Sequence, residues 1–91
     1  MNATPDQADF TVSLDLLKVG TRARVVAIDW ESLDQAEANR LRHFGFDEDV
    51  VVELLYFGPF GRDPIAIRVG RMTVAVRRAH ARAVRVIPTD R

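Results

Sequence analysis

The sequence predicts a mainly β domain: a small antiparallel β-barrel carrying one or two short helices. Two observations carry this. Five short runs of apolar and β-branched residues lie between positions 21 and 87, separated by glycine, proline and charged residues. Only one longer stretch, 32–45, places apolar residues at helical spacing. Many short strands and one main helix in 91 residues leave room for a single core, which a sheet curled on itself can enclose.

The elements follow in order. Residues 1–12 read as a flexible N-terminal tail. In SLDLLKVG, Ser13 is placed to cap a short helix, Asp15 suits its positive end, and Gly20 closes it. Leu14 and Leu17 then face the core. TRARVVAID, 21–29, reads as a strand. In ESLDQAEANRLRHFGF, Ser32 and Gln35 fit a capping box, and Leu33, Ala38, Leu41 and Phe44 share one helical face. Gly45 fits the left-handed residue that ends many helices.

DVVVELLYF, 49–57, is a strand with Val50, Val52, Leu54 and Tyr56 on one side. PIAIRV turns Ile65, Ile67 and Val69 inward. RMTVAVRR turns Met72, Val74 and Val76 inward, after a tight hairpin carried by Gly70. AVRVI, 83–87, is the last strand, and 88–91 form a C-terminal tail.

Composition narrows the function classes. There is no cysteine, which removes disulfides, thiolate zinc sites and cysteine nucleophiles. The start MNATPDQADF lacks the basic and apolar parts of a signal peptide, and no run reaches membrane-spanning length. A soluble, cytoplasmic protein is the expectation. The net charge is zero but unevenly placed: residues 1–61 carry five basic and eleven acidic groups, and 62–91 carry eight basic and two acidic. That split suits either an acidic or nucleic-acid partner for the C-terminal part, or a folded barrel that interleaves both halves.

YFGPFGRDPIAIRVG, 56–70, poses the main functional question. A phosphate-binding loop needs a strand, then glycines, then a helix N-terminus aimed at the anion. Here a second strand follows Gly58 and Gly61, and Gly-Lys-Ser/Thr and Gly-x-Gly-x-x-Gly are both missing. The loop reads as a strand connection, and no nucleotide binding or hydrolysis is expected.

The segment GPFGRDPIAIRVGRMTVAVRRAHARAVRV resembles the closing half of the FeoA family, small cytoplasmic proteins of bacterial ferrous-iron transport. The features are Gly61, Asp63-Pro64, the strand Ile65 to Val69, Gly70, and Val74 to Arg78 before Ala79 or Ala81. LDLLKVGTRARVVAID and RLRHFGF resemble the opening half, so the likeness spans about 13–87. Two positions depart from it. Asp47-Glu48-Asp49 stands where the family usually has a glycine, near Asp49, and His80 stands where an acidic residue is common. The resemblance implies an SH3-like barrel and a non-catalytic accessory protein that binds the cytoplasmic part of the FeoB transporter. It would modulate assembly or GTP turnover there. Recruitment to the inner face of the membrane and weak homo-oligomers are compatible with that role. Two alternatives stay open: a stand-alone relative of the C-terminal domain of DtxR-type iron-dependent regulators, and a small RNA-binding barrel. Direct repression is not expected, because the first 12 residues cannot hold a DNA-reading helix-turn-helix, and on the transporter reading no nucleic-acid partner is expected.

No residue set supports catalysis, a cofactor or a metal. Ser13 and Ser32 are the only serines and both suit caps; no carboxylate has a recognisable catalytic partner. Asp47, Glu48 and Asp49 suit a solvated turn better than a cation site. His43 and His80 lie far apart in sequence, and His43 suits a helix C-terminus. The candidate partner contacts are Phe57, Phe60, Arg62, Arg77 and Arg78, since aromatics and arginine are favoured at interfaces. For Phe60 two placements compete: an exposed contact in a stiff loop, or a lid folded over the barrel end. The arginines, with Arg82 and Arg85, also fit a solvated face.

Overall fold

The computed structural model describes residues 11–89. Most of the expected N-terminal tail and the last two residues lie outside the described residues. The first described strand is β1 (Val12–Ser13), which pairs Val12 with Val86. Then come β2 (Arg22–Ile28), helix α1 (Gln35–Phe44), β3 (Val51–Phe57), β4 (Ile65–Val69), β5 (Met72–Val76), helix α2 (Arg78–Ala81) and β6 (Val84–Pro88). All pairings are antiparallel, in the order β1-β6-β2-β3-β4-β5. Pro88 still pairs with Ala23, so the last strand enters the expected C-terminal tail.

The alternating strands supply the core. Val25, Val52, Leu54, Ile65, Ile67, Val76, Val84 and Val86 are fully buried, with Leu14, Leu41 and Phe46 closing the ends. Each such side chain contributes about 1.5–3 kcal/mol when removed from water. Two expected inward residues are not in the core. Tyr56 is 59% exposed, because the β3/β4 register shifts between Leu54 and Tyr56. A bulge inserts one residue and turns every later side chain over, so Phe57, not Tyr56, packs against the core. Met72 is 44% exposed because it sits at the turn, beyond the reach of the facing strands.

The local starts also differ from the expected ones. Ser13 belongs to β1 and caps no helix; its hydroxyl donates to the buried carboxylate of Asp15. Only a 3-10 turn follows, Leu14–Leu16, although Leu14 and Leu17 do face the core. Ser32 lies in a second 3-10 turn, Trp30–Ser32, and its Oγ donates to the Asp29 carbonyl. The cap of α1 is Asp34, whose carboxylate accepts from the Glu37 N–H at 2.8 Å. A carboxylate is favoured there by the helix dipole as well as by the hydrogen bond. Leu33 just before the cap and Ala38 in the second turn are both buried, which fixes the entry angle.

The end of α1 matches its sequence signal. Gly45 has φ +99°, its N–H donates to Arg42, and the Phe46 N–H donates to Leu41. These are the paired bonds of a Schellman ending. Buried Phe46 and Leu41 supply its apolar contact. The turn that follows places Asp49 at φ +73°. That is a glycine-like backbone, held here by an aspartate.

Candidate functional site

The loop 58–64 joins β3 to β4, as a strand connection should. It is held at several points. The Gly58 N–H donates to the Pro64 carbonyl at 2.7 Å, closing its base. A Cβ on Gly58 would stand 2.6 Å from the Asp63 carbonyl oxygen, so only glycine lets the two limbs approach. Asp63 then reaches across to α2: its carboxylate accepts from the Arg78 N–H at 3.0 Å. The Arg78 guanidinium returns the contact, donating to the Gly61 carbonyl at 3.4 Å and lying 4.0 Å from Asp15. Asp15 also has Arg82 at 3.8 Å.

This bracing holds Phe60 in solvent. It is 81% exposed, so it forms no lid over the barrel end. Phe60, Asp63 and Pro64 make one wall of a cleft of about 590 Å³. Glu37 and Arg40 of α1 form another wall, and Ala75 and Arg77, at the end of β5, form the floor. Both carboxylates of the cleft are engaged within the fold. Glu37 has Arg40 at 3.2 Å and His80 at 3.1 Å, and Asp63 caps α2. The Arg77 guanidinium has no ion-pair or hydrogen-bond partner among the described residues.

The five candidate contacts thus separate into three places. Phe60 and Arg77 meet in the cleft. Phe57 packs partly into the core, with the Arg62 guanidinium stacked over its ring at 4.2 Å. Arg78 is braced between Gly61 and Asp15. Sequence reasoning missed Arg40, Glu37 and Ala75. The Glu37/Arg40 pair at helical spacing was visible, but its reach to β5, 35 residues away, was not.

The remaining candidates are dispersed. Asp47 accepts from the Glu48 N–H, and Asp49 from Arg24 at 3.2 Å. Among the described residues, no group of three His, Cys, Asp or Glu side chains is arranged to hold a metal ion. Tyr56, Phe57 and Phe60 form no ring pairs with one another, so no stacking platform joins them. Among the described residues no helix is long and apolar enough to cross a membrane.

Six antiparallel strands around one core, with a braced loop beside a cleft of mixed charge, define a small SH3-like domain. The FeoA domain model matches residues 12–88, and the chain belongs to the FeoA family. It is similar to FeoA of Stenotrophomonas maltophilia, solved with zinc and described as a prokaryotic SH3-domain protein proposed as a ferrous iron transport activating factor. The two share 33% identity over 80% of this chain and 86% of that one, with a TM-score of 0.69. It is also similar to FeoA of Chlorobium tepidum, solved by NMR, at 29% identity, over 87% of this chain and 71% of that one, TM-score 0.76. A manganese-dependent transcriptional repressor shares the fold alone, at 19% identity over 86% of this chain and 41% of that one, TM-score 0.73. In a sequence search, no curated protein matches the chain.

Proposed function

We propose that this chain is a non-catalytic accessory protein of ferrous iron uptake. It docks on the cytoplasmic part of a FeoB-type transporter and modulates that transporter's assembly or GTP turnover. The cleft between Phe60 and Arg77 is the docking surface. The observation that carries this reading is the exposure of Phe60, 81%, on a loop closed at its base and tied twice to Arg78. A ring carried on a backbone already held in place spares the loop's share of the ordering entropy on binding. Arg77 beside it offers an unspent charge for an acidic group on the partner. Family membership supports the iron-transport setting.

Co-purification of the transporter's cytoplasmic domain with the parent chain and with Phe60→Ala tests this reading. Capture by the parent and loss in the variant is expected. Equal capture by both would remove Phe60 from the docking surface.

A further inference from the structure

The cleft floor is also the open edge of the sheet. β5 stands last in the strand order, and among the described residues its only strand partner is β4. The β4/β5 hairpin closes through Gly70-Arg71, with Val69 opposite Met72. After a two-residue turn, that flanking pair exchanges its hydrogen bonds, and bonded and non-bonded pairs then alternate. Val74 and Val76 therefore bond to β4. Thr73 and Ala75 turn their N–H and C=O groups away from it, toward the edge.

Natural edges are usually blunted by proline, by bulges or by covering elements. Between Met72 and Val76 there is no proline, and the register with β4 runs without a shift. Among the described residues, one side chain is bonded to these outward groups: Arg40 Nη2 donates to the Ala75 carbonyl at 3.1 Å. Thr73, Ala75 and Arg77 are exposed, and the first two are small enough to leave the backbone open. Arg71 and Arg77 stand at the two ends of this track, about 20 Å apart for an extended chain. Neither guanidinium has an ion-pair or hydrogen-bond partner among the described residues.

From this we infer that β5 is a docking edge that receives an extended acidic peptide segment of the partner as an added strand. The backbone groups of Thr73 and Ala75 supply the ladder. Arg71 and Arg77 select carboxylates at the two ends, and Arg40 leaves the Ala75 carbonyl when the incoming N–H takes its place. Phe60, on the cleft wall, packs over the added strand. The inference rests on the docking reading above for its partner and adds the chemistry of the bound segment.

The test uses two blocked heptapeptides, alternating valine and threonine, with glutamate at both ends of one and lysine at both ends of the other. Each is titrated into the full chain while amide hydrogen exchange is followed by NMR. The glutamate peptide is expected to slow exchange at Thr73 and Ala75 about tenfold or more, and the lysine peptide to leave it unchanged. Ala75→Pro should abolish the protection. Its missing N–H lies on the edge side, so the β4 ladder stays intact. Arg77→Glu, which touches no ladder group, should weaken the glutamate peptide and favour the lysine peptide, and it serves as the test if the proline variant does not fold.

Shifts at Phe60 and Arg77 without protection at Thr73 and Ala75 would overturn strand addition. Concentration-dependent protection of those amides without peptide would also overturn it, because a second copy would then occupy the edge. The transporter's cytoplasmic domain separates the two proposals. Binding that survives Ala75→Pro keeps the docking reading and removes the edge mode. Peptide protection without any binding of that domain keeps the edge site and removes the docking reading.

Discussion

The carboxylate of Asp63 caps helix α2 by accepting the Arg78 N–H at 3.0 Å, across fifteen residues of sequence. One side chain therefore anchors the loop and starts the helix. Asp63→Ala should cost about 0.5–2 kcal/mol, the range for a lost cap, in urea unfolding. It should also loosen Phe60, because the loop then hangs on Gly58 and Arg78 alone. Asp63→Asn keeps an acceptor and should recover most of the stability. Equal losses for Asn and Ala would show that the carboxylate's charge, not its capping bond, matters there.

Gly58 and Gly61 sit three residues apart but do different work. A Cβ at Gly58 would meet backbone at 2.6 Å, whereas Gly61 has open space and φ +69°. Gly58→Ala should therefore destabilise by overpacking against atoms that cannot move, by about 1–3 kcal/mol or more. Gly61→Ala should cost about 1–2 kcal/mol, the ordinary penalty of a side chain in left-handed backbone. Thermal unfolding of the two variants side by side measures the order. A harmless Gly58→Ala would mean that the limbs of the loop do not close as described.

Much of the fold was legible because alternation is a local signal. Ile65, Ile67, Val74 and Val76 declare their inward face in the sequence, and the structure buries all four. Tyr56 was misplaced because a bulge is set by the partner strand's register, which neighbouring residues do not encode. Ser32 and Asp34 both precede the helix with a suitable residue three positions on, so local sequence does not separate them as caps. The 3-10 turn at Trp30–Ser32 decides between them by committing the serine hydroxyl to Asp29. Helix α2 was invisible for a plainer reason: its cap comes from Asp63, a different loop. The cleft was half legible. Phe60 and Arg77 were marked by residue type and by the glycine-rich loop. Arg40 joins them only through its reach to Ala75.

Asp49 tests what a left-handed backbone position in this turn requires of its residue. Its φ is +73°, a conformation that aspartate tolerates and most residues resist. Its contact with Arg24 is exposed, a kind of pair worth little. The expected order of stability is Gly or Asp above Ala, with Val lowest, and Ala about 1 kcal/mol below Gly. Urea midpoints of the four chains give the order. An alanine variant as stable as the glycine variant would remove the backbone explanation.

Metal should not be needed for folding. The strands meet through a contiguous set of buried apolar side chains, from Leu14 to Val86. Adding ferrous ion under anaerobic conditions, or adding a chelator, should leave the melting temperature unchanged. A rise with ferrous ion that magnesium does not reproduce would indicate selective binding to the native state, by linkage.

Phe60→Ala separates docking from stability most cleanly. A buried phenylalanine truncated to alanine costs about 3–5 kcal/mol. At 81% exposure the ring loses almost none of its packing, so the change should fall within about 0.5 kcal/mol. The loop itself should stay in place, because its bracing runs through Gly58, Asp63 and Arg78 and not through the ring. Any functional loss must then come from the missing contact. In cells lacking the native chain, the variant should accumulate to normal levels yet fail to restore ferrous iron uptake. Arg77→Ala should weaken rescue in the same direction, since it lines the same cleft without bracing the loop. A Phe60→Ala chain that is stable and rescues uptake fully would place the docking surface elsewhere on the barrel.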